Sequence, residues 1–270
     1  MIATLSWLLP AATSEDGGFT PPTVGEFFPG ALFFANTPFA ITRINLIMML
    51  MAGLLCLFMV VAFRKPALVP RGIQNLGEMM VDFVYKSIVE EILGANGKRF
   101  AGFLVGLFFF IFFFNIAGIL PLIHISPSSV IAVPMVMAVA VWVVFNYVGI
   151  RKHGLGHYIA MNVFPPGVPK PIYLFITPIE FISTFLLRPI TLTIRLLANM
   201  MSGHLLLVLF FSATWFFLLE SDGLLKIFAV PSFLMGFAFT LFEILVSLLQ
   251  AYIFALLAAV YIQGSLSEEH

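Results

Sequence analysis

The chain has 270 residues, of which 61% are hydrophobic and 10% are charged, and this composition is typical of an integral membrane protein. Its thirteen basic and thirteen acidic residues cancel, so we expect no nucleic-acid partner. A single cysteine excludes an internal disulfide, and the absence of metal-ligand spacings, glycine-rich phosphate loops and Ser/His/Asp sets predicts no metal and no cofactor.

The first half of the chain predicts one membrane span and one surface helix. Residues 1–40 include a segment rich in proline, glycine and acidic side chains, which we interpret as an extracytoplasmic lead-in. Residues 41–64 form an apolar run long enough to cross a bilayer as a helix. Between 71 and 94, apolar and polar residues alternate with helical spacing. That pattern predicts an amphipathic helix lying at the membrane interface.

Two further predicted spans and a loop follow. The apolar runs 99–121 and 130–151 each match the length of a transmembrane helix. Residues 152–171 are rich in glycine and proline and predict a cytoplasmic loop.

The remaining apolar sequence is too long for upright helices. The segments 172–219 and 224–264 would form helices of roughly 60 to 70 Å, against a hydrocarbon core of about 30 Å. A short polar link, Glu220–Gly223, joins them and predicts an antiparallel hairpin. The sequence therefore predicts an all-α integral membrane protein with three upright transmembrane helices, one amphipathic interfacial helix and a long, steeply tilted two-helix hairpin.

Basic residues set the expected orientation. They cluster between the first two spans and after the third, whereas the connection 121–129 has none; the basic positions are Arg64, Lys65, Arg71, Lys86, Lys98, Arg99, Arg151, Lys152 and Lys170. By the positive-inside rule, these segments face the cytoplasm. We therefore expect an extracytoplasmic N-terminus and a cytoplasmic tail at 265–270.

Arg195 is the first candidate functional residue because it lies deep within an apolar run. A guanidinium keeps its charge, and an arginine at mid-membrane costs about 2.5–3.5 kcal/mol on insertion scales. Snorkelling is an alternative, but the Leu219 end of the run is too distant for a side chain to reach. A static ion pair inside a helix bundle is the other alternative. The default hypothesis is a functional charge.

The predicted hairpin places polar residues of its two arms at similar depths. If the chain folds back near Asp222, facing residues have numbers that sum to about 445. Arg195 then meets Gln250, and His204 lies within one helical turn of Glu243. Asn199 follows Arg195 by four residues and shares its helix face, whereas His204 points toward a different neighbour.

His204 and Glu243 suggest a proton pathway. An imidazole titrates near neutral pH, and a nearby carboxyl group can pass protons on through water. The alternative is a neutral histidine that hydrogen-bonds a structural glutamate. Glu180 and Ser183 form a second polar patch nearer the cytoplasmic end, which we interpret either as an aqueous entry or as a purely structural feature.

Several motifs resemble subunit a of the F-type ATP synthases. The central one is the segment Arg188-Pro-Ile-Thr-Leu-Thr-Ile-Arg-Leu-Leu-Ala-Asn-Met-Met-Ser-Gly-His204. It is supported by Asn115-Ile-Ala-Gly-Ile-Leu-Pro121, Pro178-Ile-Glu180 and Leu249-Gln-Ala-Tyr-Ile-Phe254. The resemblance extends from about Ile44 onward. In some members of that family the acid and the imidazole occupy opposite arms from those here, so the pair is kept but swapped.

The resemblance implies a stator subunit in the bacterial plasma membrane that is not catalytic by itself. Its partners would be a c-ring of proteolipid subunits, b-type peripheral stalk subunits, the rest of the F1Fo ATP synthase and membrane lipids. Arg195 would be the essential charge facing the ring. Whether protons or sodium ions move would depend largely on the ring's own carboxylate site.

Two other classes of function are weighed against this one. A self-contained secondary transporter should show internal repeats, and the sequence has no convincing duplication. A structural membrane scaffold predicts that Glu243 and His204 have no role in proton flux.

Overall fold

The computed structural model describes residue 19 and residues 21–27, 31–33, 41–64, 67–120, 123, 125–164 and 173–267. Most of the predicted lead-in 1–40, residues 165–171 of the predicted loop, residue 172 at the start of the predicted long helix and residues 268–270 of the predicted tail lie outside this set. Nearly all described residues are helical, which confirms the predicted all-α fold class. Besides turns and loops, the described residues include a short antiparallel pair of strands, β1 (Ala31–Phe33) and β2 (Ile41–Thr42), in which Ala31 pairs with Thr42.

The described residues up to Phe164 include five α-helices. They are α1 (Arg43–Phe63), α2 (Ile73–Val84), α3 (Lys98–Ile116), α4 (Ala132–His153) and α5 (Leu155–Val163). The π-helical segment Tyr85–Leu93 extends α2, so the predicted interfacial segment 71–94 is helical almost throughout. Short 3₁₀ turns cover Val24–Phe27, Gly94–Asn96 and Pro127–Ser129.

The second half contains two long helical stretches. The first comprises α6 (Tyr173–Ile182), a π-helical segment (Ser183–Leu187), α7 (Arg188–Trp215) and a second π-helical segment (Phe216–Glu220). The second begins with the 3₁₀ turn Gly223–Phe228 and continues as α8 (Ala229–Leu266).

Five described helical stretches are long and apolar enough to cross a membrane. They are Arg43–Phe63, Lys98–Ile116, Ala132–His153, Phe175–Glu220 and Gly223–Leu266. The last two have 46 and 44 residues. The upright and tilted settings proposed for these helices stay predictions.

Prolines do not interrupt the first long stretch, and the sequence explains why. Pro178 lies inside α6, where it removes one helical hydrogen bond. Near Pro189, the hydroxyl of Thr193 donates to the Pro189 carbonyl at 2.8 Å, and Thr191 donates to the Leu187 carbonyl at 2.8 Å. The carbonyl that Pro189 leaves without a helical partner is that of Phe185, and it accepts a hydrogen bond from the Trp142 indole at 3.0 Å. This bond and the π-helical segment let the chain stay helical at Pro189.

The described chain divides into two compact units. The first contains the described residues up to Ala52, Phe113–Val130 and Ala198–Leu249, and the second contains Gly53–Phe112, Ile131–Leu197 and the described residues from Gln250. Long helices contribute to both.

In the first unit, the two arms of the predicted hairpin pack against each other. Phe210 stacks on Phe239 with ring centroids 5.1 Å apart, and Phe217 lies 6.0 Å from Phe228. Between the arms, Ser221 and Asp222 are extended. Gly223 has φ 63°, a left-handed conformation that favours glycine. The polar link therefore makes a tight reversal.

In the second unit, α5 replaces part of the loop expected at 152–171. Gly154, with φ 79°, separates α4 from α5. Tyr158 of α5 packs its ring directly on Gly149 of α4 and is almost fully buried. The segment is helical instead of a loop because the Tyr158 ring packs on Gly149. The burial of this ring outweighs the low helix propensity of the glycines in the segment.

Candidate functional site

Arg195 lies on the exposed stripe of α7. Leu192, Leu196 and Met200 form the buried stripe of the helix, whereas Thr191, Ile194, Ala198 and Ser202 are exposed together with Arg195. Within the part of the chain that the structure describes, Arg195 makes no ion pair. The static ion pair considered from the sequence is therefore not formed with any described carboxylate. The guanidinium faces outward from the second unit.

Gln250 belongs to the same unit as Arg195 but is buried on α8. Its exposed fraction is 6%, and its Nε2 atom has no hydrogen-bond partner among the described residues. The structure thus gives no hydrogen bond between Gln250 and Arg195. The two residues, which the sequence predicts at the same depth, make no direct polar contact.

Glu243 and His204 lie close together in the first unit. Both side chains are buried, each with 7% exposed. The Glu243 carboxyl group packs directly on Gly203, the residue before His204. The ring of His204 contacts the edge of Phe27, with centroids 5.0 Å apart. An acid and an imidazole thus occupy neighbouring positions on facing helices.

Glu243 begins a polar row on the buried face of α8. Ser247 and Gln250 follow it at spacings of four and three residues, which keeps all three on one helix face. Ser247 is fully buried, and its hydroxyl has no partner among the described residues. Sequence reasoning missed Ser247, although its spacing from Glu243 and Gln250 was the available signal.

Further unpaired polar atoms are buried in the first unit. Both amide atoms of Asn115 lack partners among the described residues, as do the hydroxyl of Ser128 and the Nδ2 atom of Asn199. Asn199 is half-buried, and its carbonyl accepts a hydrogen bond from Ser202 at 3.1 Å. Leaving a buried polar atom unpaired costs about 1–3 kcal/mol, so such atoms are normally bonded to protein or water.

Glu180 and Ser183 lie in the second unit, near the junction of α6 with its π-helical extension. Both are half-buried. Thr177 lies one turn before Glu180, and its hydroxyl is buried without a partner in the described chain; Thr184, next to Ser183, is buried as well. This polar patch contains Thr177, which the sequence analysis did not select.

Each unit holds groups suited to proton exchange, and the second unit also holds the permanent charge of Arg195. Carboxyl, imidazole and hydroxyl groups all exchange protons with water. They are buried in helices that are otherwise apolar, where polar residues are rare and usually functional. Within the described residues, no group of His, Cys, Asp and Glu side chains has the geometry of a metal site.

Comparison with known proteins places the chain in a family. Residues 45–263 match the family described as ATP synthase A chain. The ATP synthase subunit a of Rhodococcus erythropolis is 50% identical over 254 residues, which cover 93% of this chain and 92% of that protein. Proteins of the same name from a Parafrankia species and a Nocardioides species are 39% and 37% identical, covering 94% and 96% of this chain and 86% and 97% of their own lengths. The chain therefore belongs to the ATP synthase subunit a family.

Proposed function

We propose that this chain is the proton-conducting stator subunit of an F-type ATP synthase. Two offset aqueous half-channels and Arg195 couple proton flow to rotation of a c-ring, which drives ATP synthesis in the catalytic head. The observation that carries the proposal is an outward-facing arginine on an apolar helix of an ATP synthase subunit a. The subunit itself performs no bond chemistry.

Helix length supports the proposed hairpin across the ring. At roughly 1.5 Å per residue, the two long stretches measure about 69 and 66 Å, more than twice the hydrocarbon thickness of about 30 Å. A straight helix of that length must tilt by more than about 40° to stay within the membrane and its headgroup layers. Such a tilt lets one helix run along a curved partner surface.

The neighbours of Arg195 support a close approach of the ring. Thr191, Ala198 and Ser202 share its exposed stripe and have small side chains. Small residues let helix backbones approach closely within a membrane. A protonated carboxyl group on a passing ring subunit can therefore come near the Arg195 guanidinium. The guanidinium stabilises the ionised carboxylate, so the carboxyl group releases its proton.

The polar groups of the first unit support an entry path from outside. His204 and Glu243 would take up protons there, and Ser247, Asn115 and Asn199 would hold water beside them. Protons would pass from this path to a ring carboxylate. Once neutral, that carboxyl group can enter the lipid phase as the ring turns.

The second unit supplies the proposed exit. Glu180 and Ser183 would line a water path from the ring to the cytoplasm. Arg195 would separate the two paths electrostatically and block a direct leak. Each proton that crosses 100 mV delivers about 2.3 kcal/mol, so several are needed for each ATP.

The remaining assignments follow from family membership and the basic loops. We place the chain in a bacterial plasma membrane with the N-terminus outside and the C-terminus in the cytoplasm. Its partners are the c-ring, b-type peripheral stalk subunits, the rest of the F1Fo complex and membrane lipids.

Disulfide crosslinking tests whether α7 faces a ring. Cys56 is the only cysteine, so Cys56→Ser gives a clean background. We expect Ile194→Cys to crosslink with cysteines placed beside the ring carboxylate, because Ile194 is 54% exposed on the Arg195 stripe. Met49→Cys is a matched control, since Met49 is 68% exposed on α1. Equal crosslinking at both positions, or none at Ile194, contradicts the proposal.

A further inference from the structure

A groove on the second unit combines cations at one end with an apolar floor. It lies between the start of α3, the last three turns of α4 and the end of α8, and its volume is about 730 Å³. The lining residues are Asn96, Arg99, Phe100, Val143, Val144, Tyr147, Val148, Arg151, Lys152 and Leu266. No proton-pathway residue named above lines it.

The charged end of the groove is built for an anion. Arg99, Arg151 and Lys152 converge there, and the ten lining residues include no acid. Lys152 is fixed by donating a hydrogen bond to the Leu266 carbonyl at 2.6 Å, and the Arg99 guanidinium lies 4.7 Å from the centre of the Phe100 ring.

The floor of the groove is suited to hydrocarbon. Along α4, Val143 and Tyr147 precede Arg151 by eight and four residues and are 49% and 60% exposed. Val143 therefore lies about 12 Å from Arg151 along the helix, close to the thickness of one leaflet of about 15 Å. A free phosphate ion would leave this apolar floor uncovered. A phospholipid covers the floor with an acyl chain and places its phosphate at the basic end.

We propose that this groove binds one anionic phospholipid. Its phosphate contacts Arg99 and Arg151, and one acyl chain follows Val143 and Tyr147 toward the bilayer centre. Basic pockets between transmembrane helices on the cytoplasmic side bind acidic headgroups in this way. The assignment to the cytoplasmic leaflet rests on the orientation given under the proposed function. The proposal that a lipid binds here depends only on the residues that line the groove.

The test uses the intact complex in phosphatidylcholine nanodiscs that contain a trace of spin-labelled phosphatidylglycerol. The motionally restricted fraction of the label reports binding. We expect Arg99→Gln combined with Arg151→Gln to weaken binding about 30-fold, from about 1 kcal/mol per basic residue. The control pair Arg64→Gln and Arg71→Gln removes the same charge from exposed positions outside the groove. We expect this control to bind like the wild type.

A second variant tests the hydrocarbon half of the site. Val143→Trp fills the floor without changing charge, and we expect it to weaken lipid binding while the complex stays assembled. Undiminished lipid binding in the Arg99/Arg151 variant overturns the proposal. Displacement of the label by millimolar inorganic phosphate also overturns it, because the site then binds a free anion.

Loss of a stalk subunit in the Arg99/Arg151 variant, with lipid binding retained, identifies a protein interface and likewise contradicts the proposal. ATP-driven proton pumping is measured on the same samples. A wild-type complex that pumps normally but does not bind the lipid refutes the lipid site alone. A failure of the proposed function appears instead as normal pumping by an assembled complex that carries Arg195→Ala.

Discussion

The carboxyl group of Glu243 rests against the backbone of Gly203, in the position that a side chain on residue 203 would occupy. Glycine at this point lets α8 bring an acid against α7, at the residue that precedes His204. The close approach of the two helices and the placement of the acid are therefore one structural feature.

Gly203→Ala is expected to lower proton flux. The added methyl group collides with the Glu243 carboxyl, which must move away from residue 203. ATP-driven acidification of proteoliposomes, normalised to assembled complex, measures the effect. Gly102→Ala on α3 is the control, because a methyl group there meets no atom within 4 Å. Normal flux in Gly203→Ala would show that the placement of Glu243 is not needed.

Glu243→Gln and His204→Ala are each expected to reduce proton flux severalfold. Glutamine keeps the size of the side chain but cannot exchange a proton, so it separates proton transfer from packing. Passive proton uptake under an imposed potential gives the rate. Glu220→Gln, at an exposed position in the link between the helices, should leave the rate unchanged. Unchanged uptake in both variants would favour the scaffold alternative.

Asn115→Leu is expected to lower proton flux without destabilising the protein. The substitution removes two buried polar atoms that have no partner in the described chain and keeps a similar shape, so its cost to folding is small or favourable. The water proposed to bind there is lost. Asn115→Ser keeps a polar group and room for water and should retain most of the flux. A wild-type rate in Asn115→Leu would remove Asn115 from the proposed pathway.

Tyr158 is expected to make stability depend on alkaline pH. Burial raises the pKa of its hydroxyl, and the hydrogen bond with Ser265 at 3.4 Å offsets part of that effect. The folded protein therefore keeps the phenolic proton at a pH where the unfolded chain, with a pKa of about 10, has lost it. The stabilisation is complete below about pH 10 and is lost as pH rises through the folded pKa.

Thermal unfolding of the purified complex between pH 7 and 11 measures this dependence. Tyr158→Phe should cost about 1 kcal/mol at pH 7 through its lost hydrogen bonds, and its stability should fall less steeply above pH 10. Parallel curves for the variant and the wild type would exclude Tyr158 as the source.

The sequence predicted the membrane class because apolar length is a direct signal. The runs near 41–64 and 130–151 became α1 and α4 with boundaries shifted by a few residues, and the polar link became a tight reversal. The end of the second span differs, since α3 stops at Ile116 instead of 121. Helix ends depend on local turns that hydropathy does not report.

The sequence predicted which residues of the two arms face each other where helical register was enough. A reversal near Asp222 brings Glu243 level with Gly203 and His204, as the facing-residue rule indicated. The rule did not anticipate that Gln250 is buried while Arg195 is exposed, because rotation of each helix about its axis is decided by packing. It also missed Ser247 and Thr177, whose hydroxyls become notable only once their burial is known.

The most direct test of the central claim is ATP-driven proton pumping by complexes that contain Arg195→Ala, reconstituted in proteoliposomes. Arg188→Ala is the matched control, since Arg188 lies seven residues earlier on α7 and packs against the rings of Phe145 and Tyr261. We expect Arg195→Ala to assemble with its partner subunits and to lose pumping completely, with a passive proton leak, while Arg188→Ala still pumps. Wild-type pumping by an assembled Arg195→Ala complex would contradict the account.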